Sequence, residues 1–232
     1  MKTELNYLFD VDGTLTPSRG VIDDDFKKWL INFSLKHNIV LVTGSDRPKT
    51  IEQIGTTLYN KCRRVYNCSG NDVYEKENQI KFNDWKLPAE AEKFLTEKLT
   101  NSKFTTRTGL HIEHRIGMIN FSVVGRNANT EQRKVYHEWD KIVNERIDIA
   151  KQFNETFPDL SAKVGGETGI DIFAKGCDKS QVVHDYDISS IRFFGDRCDE
   201  AGNDYPVANL LEPHQVFHIK DWKHCWELLK NV

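Results

Sequence analysis

The chain has 232 residues, of which 38% are hydrophobic and 29% charged, and its formal net charge is −3. This length can bury an ample core as one large domain or two small ones. The near-neutral charge argues against general binding to nucleic acids or membrane surfaces. The five scattered cysteines share no Cys-x-x-Cys spacing, so neither a zinc site nor a disulfide framework is indicated. We therefore expect free thiols in a reducing compartment and, since no basic and apolar leader is seen, a cytoplasmic protein.

Two aspartates directly follow the first predicted strand. The apolar run at residues 5–9 predicts a buried strand, and Asp10 and Asp12 come immediately after it. Side chains alternate along an extended chain, so both carboxylates point to the same side. Two like charges at that spacing need a cation or a shared proton. An Asp-Gly turn would explain Asp12 but not Asp10, so the pair predicts a metal site or a centre for phosphoryl chemistry.

The first 80 residues alternate between strands and helices. An acidic run at 23–25 predicts the start of a helix, and a second apolar strand at 39–42 ends on Thr43-Gly44-Ser45-Asp46. A third strand at 65–68 precedes another polar cluster. This alternation indicates an α/β fold with a Rossmann-like parallel sheet that is covered on both faces. Ligands bind such sheets at the carboxyl ends of the strands, where the polar clusters fall.

The middle of the chain has the pattern of an α+β module. One predicted hairpin turns at Ile116-Gly117, and another turns at Gly165-Gly166. Asn129 and Gln132 form a capping-box pattern that predicts the start of a long helix. The predicted buried face of that helix consists of Val135, Trp139, Ile142 and Ile149.

After this module the first pattern resumes. An apolar strand at 190–194 ends on Gly195-Asp196, and Gly202-Asn203-Asp204 follows shortly afterwards. We therefore predict a discontinuous catalytic core at residues 1–80 and 175–232, with a substrate-binding cap at 81–174 inserted into it.

Acidic residues from several places in the sequence are expected at one edge of the predicted sheet. Carboxylate oxygens that converge without a His or Cys cluster favour a hard cation such as Mg²⁺. The hydroxyl of Thr43 and the ammonium of Lys179 suit the oxygens of a phosphate group. Their joint placement beside the acids predicts a site for phosphoryl transfer.

Four motifs in this order resemble those of the haloacid dehalogenase superfamily of phosphotransferases. They are Phe9-Asp10-Val11-Asp12-Gly13-Thr14, Val42-Thr43-Gly44-Ser45, Lys179, and Gly195-Asp196 with Gly202-Asn203-Asp204. Within this superfamily the cap sequence resembles that of the eukaryotic-type phosphomannomutases. The similar stretches are Glu113-His114-Arg115-Ile116-Gly117-Met118, Val124-Gly125-Arg126 and Glu131-Gln132-Arg133.

The resemblance implies a haloacid dehalogenase-like fold and specific roles for single residues. Asp10 would be the nucleophile that forms an aspartyl phosphate, and Asp12 the general acid and base. The catalytic residues implied are Asp10, Asp12, Thr43 and Lys179. The metal residues implied are Asp10, Asp12, Asp196, Asn203 and Asp204, with Asp12 acting through its backbone carbonyl. The substrate-binding residues implied are Arg19, Arg115, Arg126, Arg133 and Asp171.

The resemblance also implies cofactors, partners and a reaction. The cofactors are Mg²⁺ and, as activator, a hexose 1,6-bisphosphate. The reaction is the interconversion of mannose 6-phosphate and mannose 1-phosphate, and the partners are the phosphorylated hexose and a second copy of the chain bound through the cap.

Two departures from the family pattern leave a Mg²⁺-dependent sugar phosphatase as an alternative. Gly169 stands where the family usually has a serine, and residues 205–210 lack the acid expected after Gly-Asn-Asp. A third alternative is a sugar-phosphate-binding protein without catalysis. The intact Asp10, Asp12, Lys179 and Asp196 argue against it.

Overall fold

The computed structural model describes residues 4–231. In chain order, the strands are β1 (Asn6–Phe9), β2 (Asn38–Val42), β3 (Arg64–Asn67), β4 (Asp72–Glu75), β5 (Asn78–Phe82), β6 (Ile112–Arg115), β7 (Met118–Phe121), β8 (Leu160–Gly165), β9 (Gly169–Ala174), β10 (Ile191–Gly195) and β11 (Val216–His218). The α-helices are α1 (Asp24–Phe33), α2 (Arg47–Ile54), α3 (Thr56–Lys61), α4 (Ala89–Asn101), α5 (Thr130–Val143), α6 (Glu145–Thr156), α7 (Tyr205–Ala208) and α8 (Trp222–Leu229). Short 3₁₀ segments lie at Cys68–Gly70, Lys179–Asp185, Ile188–Ser190 and Pro213–Gln215.

Seven strands form the core sheet, in the order β11-β10-β1-β2-β3-β4-β5. Neighbouring strands from β11 to β3 are parallel, and β4 and β5 extend the sheet as an antiparallel hairpin. The prediction of a mainly parallel, Rossmann-like sheet is therefore confirmed. Because β1, β2 and β10 are adjacent and parallel, the residues that follow them meet at one edge of the sheet.

Apolar side chains on the two faces of the core sheet pack into two separate clusters. On one face, Phe9 and Leu41 pack with residues of α1, α3 and α8. On the other face, Leu8 and Val40 pack with Val182 and with residues of α7. All four residues of β1 are buried, as expected for a strand covered on both sides. This burial fixes β1 rigidly and with it the position of the aspartates that follow.

The cap contains a four-stranded antiparallel sheet in the order β6-β7-β9-β8. The predicted turn at Ile116-Gly117 joins β6 to β7, and Gly117 adopts the left-handed region with a φ of +65°. Helices α4, α5 and α6 pack against one face of this sheet. On the opposite face, Met118 packs against Cys68 of the core. That face is therefore turned toward the core sheet.

The long cap helix predicted from residue 129 consists of two helices. The capping box is confirmed, because the side chains and backbones of Asn129 and Gln132 form both of its hydrogen bonds. However, α5 ends at Val143, and Asn144 adopts the left-handed region with a φ of +58° before α6 begins. A continuous α-helix cannot include a residue in that conformation, so the chain changes direction there.

The predicted buried face of this helix is wrong for two of its four residues. Val135 and Ile142 are 51% and 81% exposed. The buried side of α5 instead carries Tyr136 and Asp140. Asp140 accepts hydrogen bonds from the backbone N and from Nε of Arg146, at 2.9 and 2.7 Å. Because this buried ion pair satisfies its polar atoms, the more polar side of α5 packs inward.

Two strands mark the extent of the sheets. β5 belongs to the core sheet and ends at Phe82, while β9 ends the cap sheet at Ala174.

Within residues 4–231, no helix has both the length and the apolar character needed to cross a bilayer.

Candidate active site

Three carboxylates and one lysine meet at the edge of the core sheet where β1 and β10 end. Asp10, Asp196 and Asp204 each offer an oxygen within 4.8 Å of the others. The Nζ atom of Lys179 donates to Asp10 Oδ1 at 2.5 Å and to Asp204 Oδ1 at 2.7 Å. Lys179 and Asp204 are 1% and 0% exposed, so these ion pairs are shielded from solvent. Such contacts are much stronger in a buried site than at a surface.

This cluster carries more negative charge than its lysine neutralises. Burial raises the pKa of Asp10 well above its ordinary value, although Lys179 opposes the shift. Burial and the neighbouring Asp204 raise the pKa of Asp196 to about 7. Burial alone would lower the pKa of Lys179, but the carboxylates of Asp10 and Asp204 raise it, so the lysine stays charged. Three carboxylates around one ammonium leave an excess that a divalent cation would balance.

The donor set of the cluster fits a hard divalent cation, since it consists of carboxylate oxygens. Asp204 is bound to protein groups through both oxygens, because Oδ1 accepts from Lys179 and Oδ2 accepts from the backbone N of Arg197 at 3.1 Å. Asp196 approaches the backbone of Gly13, which has a φ of +86° and where a Cβ atom would lie 2.5 Å from Asp196 Oδ2. Glycine at position 13 therefore allows the two strand ends to meet.

The side chains of Asp12 and Asn203, also predicted as metal residues, are engaged elsewhere. Asn203 Nδ2 lies 3.5 Å from Asp171 Oδ2 of the cap. Asp12 Oδ1 accepts hydrogen bonds from Gln53 Nε2 at 2.9 Å and from the backbone N of Arg19. The Asp12 carboxylate is thus held on the cleft side of the cluster, and its backbone carbonyl is the group left for the predicted metal role.

Gln53 is a site residue that the sequence pattern did not reveal. It is fully buried on α2, and its Nε2 atom lies 3.4 Å from Thr16 Oγ1 and 3.3 Å from the carbonyl O of Gly20 as well as contacting Asp12. These contacts fix the orientation of the Asp12 carboxylate. In the sequence, Gln53 is only a polar residue between apolar positions of a helix, which is usual for a half-exposed helix.

The loop after β2 places hydroxyl groups beside the carboxylates. Thr43 is buried, and its Oγ1 atom accepts a hydrogen bond from the backbone N of Ser45 at 3.1 Å. Because this bond uses only a lone pair, the hydroxyl proton of Thr43 remains available to an oxygen of a bound phosphate. Ser45 Oγ lies 3.4 Å from Asp12 Oδ2.

Four arginines also line the cleft. They are Arg19 from the core and Arg115, Arg126 and Arg133 from the cap. Glu113 accepts hydrogen bonds from Arg115 Nε at 2.8 Å and contacts Arg126 Nη2 at 3.1 Å. Arg133 donates to Thr168 Oγ1 at 3.1 Å and to Glu167 at 3.3 Å. These partners fix the guanidinium groups, which match phosphate oxygens in geometry.

Burial and mutual repulsion lower the pKa of two of these arginines. Burial and the neighbouring Arg115 lower the pKa of Arg126 to about 10. Burial and the nearby Arg19 lower the pKa of Arg133. A bound anion would oppose the lowering of both pKa values, so the part of the cleft lined by these arginines favours a phosphate group.

The cap is closed over the core. Arg115 Nη1 donates to the backbone O of Gly44 at 2.6 Å, and Val164 forms an isolated parallel bridge with Gly202. The cleft between cap and core has an empty volume of about 640 Å³, part of which is open to solvent. The predicted residues that line it are Asp10, Asp12, Arg19, Thr43, Arg115, Arg126, Arg133, Asp171, Asp196 and Asn203. Lys179 and Asp204 lie behind this surface, in contact with each other and, through Lys179, with Asp10.

Sequence comparison identifies the family. The model of the eukaryotic phosphomannomutase family matches residues 26–227. The chain belongs to this family. A phosphomannomutase from Saccharomyces cerevisiae is 34% identical over 217 residues, which cover 89% of this chain and 85% of that protein. A phosphomannomutase from Spinacia oleracea is 32% identical, with 95% of this chain and 94% of that protein covered.

Solved structures share the fold of this family member. A haloacid dehalogenase-like hydrolase from Bacteroides thetaiotaomicron superposes with a TM-score of 0.61 at 13% identity, covering 99% of both chains. The C-terminal domain of the C. albicans trehalose-6-phosphate phosphatase superposes with a TM-score of 0.68 at 14% identity, covering 98% of this chain and 91% of that one. At sequence identities this low, the superpositions show a shared fold and nothing about activity. The predicted haloacid dehalogenase-like fold is confirmed, and the separate antiparallel sheet agrees with the predicted cap.

Proposed function

We propose that this protein is a phosphohexomutase that interconverts mannose 6-phosphate and mannose 1-phosphate through an aspartyl phosphate and a hexose 1,6-bisphosphate. One observation carries the proposal. A single cleft between the core and the cap is lined by carboxylates of the lysine-bound cluster and by four arginines, three of which come from the cap. Such a cleft can receive both phosphates of a hexose bisphosphate, one beside the carboxylate cluster and one among the cap arginines. A phosphatase needs only the first of these sites.

Asp10 is the nucleophile in this proposal. Lys179 holds Oδ1 at 2.5 Å, and we assign the attack to Oδ2. A bond forms between Oδ2 and phosphorus while the bond between phosphorus and the sugar oxygen breaks. The leaving sugar oxygen takes a proton from Asp12, which later removes a proton from the other sugar hydroxyl as the phosphoryl group returns. Gln53 and the backbone of Arg19 keep Asp12 oriented for both transfers.

Asp10, Asp196 and the backbone carbonyl of Asp12 would hold Mg²⁺. When bound there, Mg²⁺ neutralises negative charge on the phosphoryl group as it is transferred. Lys179 stays charged behind Asp10, and the Thr43 hydroxyl donates to a phosphoryl oxygen.

The cap arginines hold the phosphate that does not react. Arg115, Arg126 and Arg133 supply guanidinium groups, and closure of the cap excludes water, which is the competing acceptor. The phosphorylated hexose is therefore bound at both ends during transfer.

Phosphorus NMR can test the proposal directly. The purified protein is supplied with mannose 1-phosphate, Mg²⁺ and a trace of hexose 1,6-bisphosphate. We expect mannose 6-phosphate to appear with wild-type protein and not with Asp10→Asn, which keeps the size of the side chain but removes the nucleophile. Formation of mannose and inorganic phosphate alone would overturn the mutase proposal.

A sugar phosphatase is the second candidate, favoured by Gly169 and by the sequence at 205–210. It predicts phosphate release from mannose 1-phosphate at an undiminished rate when no bisphosphate is added. Binding without any turnover would instead point to a sugar-phosphate-binding protein.

We also propose that two copies of the chain associate through their caps. Support comes from the apolar side chains of Val135 and Ile142, which the cap leaves largely exposed on one side of α5. Exposed apolar side chains that form a contiguous patch are typical of protein interfaces.

A further inference from the structure

Asn120 and Asp171 form a buried pair across two strands of the cap sheet. They are directly opposite each other in the register of β7 and β9, and they are 5% and 3% exposed. Asn120 Nδ2 donates to Asp171 Oδ1 at 2.7 Å. The other amide atom, Asn120 Oδ1, has no hydrogen-bond partner among residues 4–231. The bond to Asp171 is therefore the contact that fixes the Asn120 amide.

Asp171 faces the cleft among arginines, and its chemistry differs from theirs. An ionised carboxylate only accepts hydrogen bonds, so it repels a phosphate and suits a sugar hydroxyl. This assignment rests on the proposed function, in which a phosphorylated hexose occupies the cleft. The second carboxylate oxygen, Oδ2, is 3.5 Å from Asn203 Nδ2, so Asn120 makes the shorter of the two contacts.

Gly169 leaves room for the Asn120 amide. It lies two residues before Asp171 on β9, on the same side of the strand. A Cβ atom at position 169 would lie 2.5 Å from Asn120 Nδ2, much closer than non-bonded atoms approach. Its φ is outside the left-handed region, so the backbone itself would accept an alanine. The conflict at this position is with the side chain of Asn120.

We propose that Asn120 is a positioning residue that orients Asp171 toward the sugar, and that a side chain added at position 169 would displace the Asn120 amide from this place. Asn120 acts through Asp171 and not on the phosphates. Gly169 acts through Asn120. The three residues therefore form one unit whose substitutions are coupled.

A double-mutant cycle tests this coupling. Asn120→Ala and Gly169→Ala are each expected to raise the KM for mannose 1-phosphate about tenfold with little change in kcat, since a charge-assisted hydrogen bond that fixes Asp171 is lost. In the double variant the added Cβ meets no amide, so we expect the same tenfold increase and not a hundredfold one. The Ki of inorganic phosphate is expected to stay unchanged in all three variants. Ser122→Ala, a buried change two residues along the same segment, is the matched control and should keep the wild-type KM.

A hundredfold increase in the double variant would overturn the proposal, because Gly169 would then act independently of Asn120. A wild-type KM for Asn120→Ala would overturn it as well, because Asn120 would then not position Asp171. A parallel rise in the Ki of inorganic phosphate would also overturn it, because it would indicate general damage to the cap. If the alanine variants do not fold, Asn120→Ser is compared with and without Asp171→Asn, and an effect that persists without the charge contradicts the proposal.

The proposed function and this inference can fail separately. If the wild-type chain turns over no hexose phosphate, the proposed function fails. The same cycle is then measured as calorimetric Kd values for mannose 1-phosphate, with the same expected coupling. Absence of any wild-type binding would overturn the inference too.

Discussion

Glu113 holds the guanidinium groups of Arg115 and Arg126 in place. Burial alone would raise the pKa of Glu113, but Arg115 and Arg126 lower it, so the carboxylate stays ionised between them. One carboxylate shared by two guanidinium groups orients both without neutralising both. The remaining charge is available to a ligand.

Replacing Arg126 by alanine should therefore weaken binding more than it slows chemistry. We expect the KM for mannose 1-phosphate to rise about tenfold to a hundredfold with kcat within a factor of a few, because a hydrogen-bonded charge is lost from the non-reacting end. Steady-state kinetics measure both values. Arg63→Ala, which removes a half-exposed arginine of the core, serves as control. A wild-type KM in Arg126→Ala would contradict the assignment of Arg126 to the phosphate that does not react.

The raised pKa of Asp196 predicts how metal and pH act together. In the folded, metal-free protein this pKa is about 7, compared with an ordinary value of 3.8. A raised pKa contributes stability that is complete below 3.8 and is lost as pH rises through about 7. Bound Mg²⁺ favours the ionised form and should reverse this loss. We expect Mg²⁺ to raise the Tm more at pH 8 than at pH 5.5, and Asp196→Asn to reduce this difference. Equal Mg²⁺ effects at both pH values would contradict the prediction.

Residues at the ends of strands could be predicted from the sequence, whereas residues that support them could not. Asp10, Thr43 and Asp196 each follow an apolar strand, and parallel pairing brings such positions together whatever the details of packing. Gln53 and Asn120 each donate a hydrogen bond to a carboxylate of the cleft. These contacts exist only after the chain has folded, so no spacing in the sequence marks them.

At the scale of elements, the junction of α5 and α6 shows why apolar periodicity failed in the cap. The pattern assumes that the apolar side of a helix is the buried side. Here Asp140 and Arg146 are buried as an ion pair at 2.7 Å, with side chains that are 6% and 5% exposed. A paired charge can be buried, and a periodicity based on hydrophobicity does not register the pairing. The left-handed Asn144 between them is equally invisible to it.

The same ion pair predicts an asymmetric response to mutation. Arg146→Met should lower the free energy of unfolding by about 3–5 kcal/mol, because Asp140 is left as an uncompensated buried charge. Asp140→Leu combined with Arg146→Met should recover much of this loss. Urea unfolding measures both values. A double variant less stable than Arg146→Met alone would mean that the pair contributes more than mutual compensation.

At the scale of the whole molecule, the exposed apolar side of α5 bears on assembly. Ile142 is 81% exposed, so Ile142→Glu should leave the stability of one chain within about 0.5 kcal/mol. If the caps of two copies associate there, the buried glutamate would be costly, and light scattering should change from a dimer mass to a monomer mass. Ile188→Glu, at a residue of the core that is 50% exposed, should leave the mass unchanged. A wild-type protein that is monomeric at every concentration would contradict the proposal.

In the proposed mutase, the contact between Arg115 and the backbone O of Gly44 links substrate binding to closure of the cap. The proposed function assigns Arg115 to the phosphate that does not react, and Gly44 follows Thr43 in the loop after β2, so one guanidinium would both bind the substrate and hold the cap on the core. In the proposed reaction a hexose bisphosphate reverses end for end between its two transfers. The contact between Arg115 and Gly44 would have to open for that turn. In the proposed reaction, the lifetime of this contact would set how often the bisphosphate leaves before it has turned. We expect a weaker contact between Arg115 and Gly44 to raise the concentration of hexose bisphosphate that the protein requires for full activity, even where each single transfer remains fast.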